Sequence, residues 1–213
     1  MSSALAKIED FPSDPVEFFK NILQAVTYEH PDGYMQEMNL ATVDDEFGVL
    51  NRTVLYRGLT EDNCVYYITH RYTRNFKNLR VNPKACITFY LPTVKDKTGE
   101  QSTWQVRLIG ATAVELPESA MDALWAKENL SAQIRGHICP CGEPINYDDL
   151  KAKHDQFLLE HKEKAIERPA SYTALKFQPQ RWDFLKVGLE QIADRVQYRL
   201  QGNGKWESMH VST

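Results

Sequence analysis

The chain lacks most of what marks a membrane, secreted or nucleic-acid-binding protein. No apolar run approaches the roughly 20 residues that a membrane span needs, so no membrane partner is expected. The stretch MSSALAKIEDFPSDP has no apolar core of the kind a signal peptide carries. Cysteine is scarce, with four in 213 residues. Without a secretory signal these are expected to be free thiols in a reducing compartment, which makes a cytoplasmic location the expectation. The formal net charge of −4 offers no basic excess for a nucleic acid. No internal repeat, low-complexity tract or convincing linker interrupts the chain.

What is present suits a globular domain with a real core: 42% hydrophobic and 11% aromatic residues. Residues 1–13 predict a flexible arm. The run DPVEFFKNILQAVTYE predicts a helix, with Asp14 as cap, Pro15 in the first turn and Glu17 placed for a capping box. Phe18, Phe19, Ile22, Leu23 and Val26 fall on one face of it.

From residue 36 the period becomes that of strands. MNLATVDDEFGVLNRTVLYRGL reads as two strands joined by a turn at Asp44 to Gly48. CVYYITH, ACITFYLP and WQVRLIGATAVEL are further strands, and KDKTGEQ is a hairpin tip. TRNFKNLRVNP predicts a short helix closed by Asn82-Pro83. Residues 117–165 turn helical, and TALKFQP, RWDFLKV and DRVQYRL return to strands. The expected fold is mainly β with helices (α+β), an antiparallel barrel over 14–213 with a helical insertion at 117–165.

The densest polar chemistry lies in Asn51–Arg57 and in Thr69-His70-Arg71-Tyr72-Thr73-Arg74. Thr73 is placed to cap the helix that follows, whose free N–H groups favour an anion, and Arg74 offers a bidentate fork. The same residues also read as a solvated basic face. The stretch His137-Ile138-Cys139-Pro140-Cys141 supplies three soft ligands, yet no second Cys or His pair completes a zinc site. No metal is expected; a redox dithiol and a loop with two free thiols remain as readings. Cys64 and Cys86 sit in apolar strands and read as small buried hydrophobes. His70 reads as an exposed loop residue, His154 and His161 as solvated helix positions, and Trp104, Trp125 and Trp182 as packing. No catalytic acid, base or nucleophile stands out.

A set of landmarks resembles the pyridoxamine 5'-phosphate oxidase family. They are Leu40-Ala41-Thr42-Val43-Asp44, Arg52-Thr53-Val54-Leu55, Tyr67-Ile68-Thr69, Thr73-Arg74, Asn82-Pro83, Gln105 to Gly110, and RWDFL followed by Asp194-Arg195. They run in order over residues 14–200. The resemblance implies a split β-barrel with a helical subdomain that binds FMN, normally a homodimer with the flavin at the subunit interface. It implies an oxygen-dependent oxidoreductase acting on a small molecule of the phosphorylated-pyridine class. It places Arg52, Thr53, Val54, Leu55, Thr69, Thr73, Arg74, Gln105 and Arg195 on FMN, and Cys141 and Gly142 where the family has a Gln-Ser pair on that cofactor. Arg57, Lys127 and Ser131 match positions on the substrate.

The departures are as informative. Asn75 stands where the family has a lysine on the FMN phosphate, and Leu185 replaces a tryptophan beside the flavin. Gln191 and Ala193 stand where an arginine and a histidine bind the substrate, and Ala123 replaces a substrate tyrosine. An altered or weakened specificity follows. The alternative is a non-catalytic split-barrel dimer that holds FMN, haem or a pyridoxal-type ligand.

Overall fold

The change of period at residue 36 is where helix gives way to sheet. The computed structural model describes residues 4–29, 36–95, 99–162 and 164–213. In chain order its elements are β1 (Ala4–Ala6), α1 (Pro15–Glu29), β2 (Glu37–Asp44), β3 (Gly48–Leu55), β4 (Val65–His70), α2 (Arg74–Val81), β5 (Lys84–Lys95) and β6 (Gln101–Glu115). There follow a 3-10 turn (Glu118–Ala120), α3 (Met121–Trp125), α4 (Leu130–Ile138), α5 (Tyr147–Glu160), β7 (Tyr172–Gln178), β8 (Arg181–Val187), β9 (Gln191–Leu200) and β10 (Trp206–His210).

The strands join in one sheet, ordered β1-β9-β8-β6-β5-β2-β3, with β10 on β9 and β7 linking β6 to β4. Only β1 on β9 is parallel; the other pairs are antiparallel. Residues 103–109 of β6 pair with β8, and residues 112–115 pair with β7. Gly110 sits at the changeover with φ of +62°, and a Cβ there would lie 3.1 Å from the Gln180 side chain. A glycine lets one strand turn between two neighbours and curl the sheet into a barrel.

Alternation then fills the barrel. Ile87, Phe89, Val106, Leu108, Phe184 and Val196 are fully buried, and Phe18, Phe19, Ile22 and Val26 of α1 close the same core. Asp14 Oδ1 accepts the Val16 amide at 2.9 Å, as a helix cap should. The helices between residues 118 and 160 cover a second cluster built on Met121, Trp125, Ile134 and Tyr172. Trp104, Trp125 and Trp182 are all buried in these clusters.

The N-terminal segment differs from the loose arm expected over 1–13, of which 1–3 lie outside the described residues. β1 extends the sheet at β9, pairing Leu5 with Ile192. The Ile8 amide donates to Asp194 Oδ2 at 2.9 Å, and the Tyr198 hydroxyl donates to the Pro12 carbonyl at 2.6 Å. Ala6 and Ile8 are buried, so the open edge of β9 and two apolar side chains hold the segment down. β10 is a further strand not expected from the sequence. The tip KDKTGEQ is bounded by the pair Lys95–Gln101, with 96–98 outside the described residues.

Candidate functional site

The residues singled out from the sequence fall into three groups around the sheet. The first surrounds the start of α2. Arg52 is half-buried on β3, and its Nη1 donates to the Leu40 carbonyl (2.9 Å), Thr42 Oγ1 (2.8 Å) and the Leu50 carbonyl (3.0 Å). Burial lowers the pKa of this guanidinium. Thr42 Oγ1 also accepts from Asn78 Nδ2 at 3.2 Å, which ties β2 to α2.

Thr69 and Thr73 hydroxyls lie 3.0 Å apart, and Thr73 donates to the His70 carbonyl at 2.7 Å. Thr73 therefore occupies the N-cap position, but its hydroxyl accepts no hydrogen bond from a helix amide. Thr73 gives α2 no side-chain cap, Asn75 Oδ1 accepts the Phe76 amide at 2.9 Å, and the other first-turn amides suit an anion.

Arg74 is placed differently from the open phosphate cation that the sequence suggested. Its Nε and Nη2 hold the Asp44 carboxylate at 2.7 and 2.9 Å, and Nη2 also reaches Glu46 at 2.6 Å. Its guanidinium stacks 4.8 Å over Phe47. The Asp44 side chain is fully buried, and Arg74 with the Phe47 and Glu46 amides holds its carboxyl well below the usual carboxylate range. Asn75, in the lysine position of the family, donates to the Tyr67 hydroxyl at 3.1 Å and brings no charge.

A groove of about 620 Å³ runs beside this cluster, lined by Asp45, Tyr72, Arg74, Lys77, Cys141 and Gly142 among others. The cysteine loop thus shares a groove with Arg74. Gly142 turns there with φ of +87°. His137 Nε2 hydrogen-bonds the Glu167 carbonyl at 2.8 Å. Among the described residues no group of His, Cys, Asp or Glu forms a metal cluster. Cys139 and Cys141 are free thiols, and burial raises the thiol pKa of Cys64 and Cys86.

The second group is a row across the sheet. Gln105 on β6 registers with Leu185 on β8, which registers with Arg195 on β9. Their chain neighbours Val106, Phe184 and Val196 point into the core, so the three residues share the opposite face. Beside this row lies Asp183, fully buried, which accepts from Arg107 Nη2 at 2.9 Å and Gln197 Nε2 at 2.8 Å. Arg195 Nε is 3.7 Å from Asp183 and is buried without a hydrogen-bond partner among the described residues. Arg107, Asp183 and Gln197 escaped the sequence reading, since their polar character in a strand gave no sign of mutual pairing.

On β3, Thr53 is exposed and donates to Asn39 Oδ1 at 3.2 Å, Val54 packs on the core, and Leu55 is partly exposed.

The third group gathers around a residue the sequence did not mark. Arg57, just after β3, is ion-paired through Nη2 with Glu128 Oε1, and the same oxygen accepts the Tyr172 hydroxyl at 3.0 Å. Lys127 adjoins Glu128, and Ser131 follows three residues on, its hydroxyl donating to Asn129 Oδ1 at 2.8 Å. The three expected substrate residues are therefore neighbours, but Arg57 is not open to an anion as expected.

His70 also departs from expectation. It is half-buried rather than exposed, stacked on Tyr72 with Nδ1 3.1 Å from Ser171 Oγ. Burial, then Arg135 and His137, push its pKa down to about 4. His154 lies by Asp155, while His161 stacks on Phe157 at 4.0 Å.

No protein-family model matches the chain. It is 26% identical over 213 residues to the pyridoxine/pyridoxamine 5'-phosphate oxidase of Bacteroides thetaiotaomicron, covering 95% of this chain and 91% of that protein. The enzyme of the same name from Pseudomonas fluorescens is 26% identical over 196 residues, covering 90% and 85%. The structure of PhzG from Burkholderia lata, in complex with tetrahydrophenazine-1-carboxylic acid, superposes with a TM-score of 0.78 at 18% identity over 100% of both chains. A Nostoc punctiforme protein described as pyridoxamine 5'-phosphate oxidase-related and FMN binding gives 0.69 at 20% identity, over 91% and 96%. These likenesses make the fold a split barrel. Among the described residues no helix is long and apolar enough to cross a membrane.

Proposed function

Taking the chain as a diverged relative of the pyridoxine/pyridoxamine 5'-phosphate oxidases, we propose that it is an FMN-dependent oxidoreductase acting on a small molecule. In this reading it works as a homodimer in the cytoplasm, and its activity on vitamin B6 phosphates is altered or weakened. The observation that carries the reading is the orphaned Nε of Arg195, buried at the end of the Gln105–Leu185–Arg195 row. A buried donor without an acceptor is costly, and the polar edge of a flavin ring is an acceptor of suitable size for that face.

The start of α2 beside Arg52, Thr69 and Thr73 fits the phosphate of the same cofactor. Gln105 would orient the ring through its amide, Arg195 would donate to it, and Arg52 with the α2 amides would hold the phosphate. When bound, FMN supplies the hydride-accepting chemistry; the chain supplies position and charge. Cys141-Gly142 would close the phosphate groove with a thiol and a glycine in place of an amide and a hydroxyl.

A second reading, a dimer that holds FMN, haem or a pyridoxal-type ligand without turnover, draws on one specific observation. Asp44 and Glu46 occupy Arg74, and Asn75 adds no cation, so the phosphate end is less positive than the sequence suggested. Titration of the purified protein with FMN separates the possibilities. One FMN bound per chain, with flavin fluorescence quenched, supports both FMN readings, and oxygen uptake with a reduced substrate then singles out the enzyme. A chain that stays colourless and cannot be reconstituted with FMN sinks the proposal.

A further inference from the structure

Glu128 does not belong beside a substrate phosphate. Its carboxylate is only 7% exposed and faces Arg57, itself 21% exposed, so the charge of Arg57 is already balanced. Oε1 carries a second bond from Tyr172, whose ring is almost wholly buried. An incoming phosphate cannot simply turn Glu128 aside, because that would strip the largely buried Tyr172 hydroxyl of its acceptor. It cannot sit beside Glu128 either without a like-charge contact in a poorly screened place.

The neighbouring donors do not compensate. Ser131 spends its hydroxyl on Asn129, and Lys127 is exposed to solvent. On β9, Gln191 and Ala193 stand where the resemblance has an arginine and a histidine on the substrate, and neither brings a charge.

We propose that Glu128 is a specificity-determining residue that selects against a phosphate group, so that the substrate is a small neutral or cationic molecule. This rests on the oxidoreductase reading above, since it uses that reading's assignment of Arg57, Lys127 and Ser131 to the substrate. The group that Glu128 rejects is the dianion. What it favours is a donor, for which its carboxylate is the acceptor.

The test compares pyridoxine 5'-phosphate with pyridoxine by equilibrium dialysis, in the native chain and in Glu128→Gln. The glutamine keeps an acceptor for Tyr172 and removes the charge. The native chain is expected to bind the phosphate ester no better than pyridoxine, within threefold. The variant is expected to raise the ratio of ester to pyridoxine binding at least tenfold. A preference of tenfold or more already present in the native chain overturns the inference, and does so even if the variant fails to fold. An unchanged preference in a folded variant overturns it as well. FMN titration of the same two proteins reads the cofactor site separately. Dialysis needs no flavin signal, so failure of the FMN reading and failure of this one are told apart.

Discussion

Single side chains decide how the phosphate end of the proposed flavin site can work, and two arginines there differ in what they have left to give. Arg52 bonds through Nη1 alone, to two carbonyls and Thr42, and keeps its other nitrogens without partners among the described residues. Arg74 commits two nitrogens to Asp44 and Glu46. Arg52→Ala should therefore weaken FMN binding by roughly 1.5–3 kcal/mol, the range for a charged hydrogen bond. Arg74→Ala should weaken it distinctly less, while lowering stability because it strands the buried Asp44 carboxylate. Fluorescence titration with FMN, alongside denaturant unfolding of each variant, measures both. An Arg74 variant that loses as much FMN affinity as the Arg52 variant would show that the Asp44 pair opens for the cofactor. The sequence could not reveal this difference: Arg74 meets Asp44 across 30 residues, and Arg57 meets Glu128 across 71, so no local spacing encodes either pair.

Elements with a strong period were legible, and elements held only by long-range contact were not. Along β4 to β6 buried and partly exposed residues mostly alternate, and each strand overlaps the β-rich run that marks it in the sequence. The three residues of β1 are too few to show a period, and their hydrogen bonds run to β9 nearly 190 residues away. The Gln105–Leu185–Arg195 row was legible only through family resemblance, because register between strands is a property of the folded sheet. The docking of the N-terminal segment has a measurable consequence. Ile8 is buried against the barrel core although it lies in a stretch that composition marks as loose. Ile8→Ala should cost roughly 2–4 kcal/mol of unfolding free energy, as for other buried aliphatic truncations. The shift of the urea midpoint reads this directly. A change below about 0.5 kcal/mol, the usual effect of a surface substitution, would return residues 4–8 to the status of a free arm.

At the scale of the whole molecule, the face that carries Gln105 and Arg195 poses a question of coverage. It is lined by polar and charged groups that are already half-buried, with Asp183 bracketed by Arg107 and Gln197. Tyr90, which registers with Gln105 from β5, is 59% exposed on the same face. Exposed apolar side chains flank it: Val49 on β3 and Val187 at the end of β8. A face with a buried polar centre and an apolar, aromatic margin suits a second copy of the chain better than bulk water. If dimerisation covers it, the flavin ring and the partner subunit share one surface, and loss of one loosens the other by linkage. Tyr90→Glu places a charge in that surface without touching the core or α2. Sedimentation equilibrium should show its dimer weakened at least tenfold, about 1.4 kcal/mol, with FMN lost in parallel as the protein is diluted. Because Arg52, Thr69 and Thr73 remain intact in this variant, the parallel loss cannot be blamed on the phosphate end. A native chain that sediments as a monomer while holding a full complement of FMN would break the link between the two, and would leave the sheet face to some other ligand.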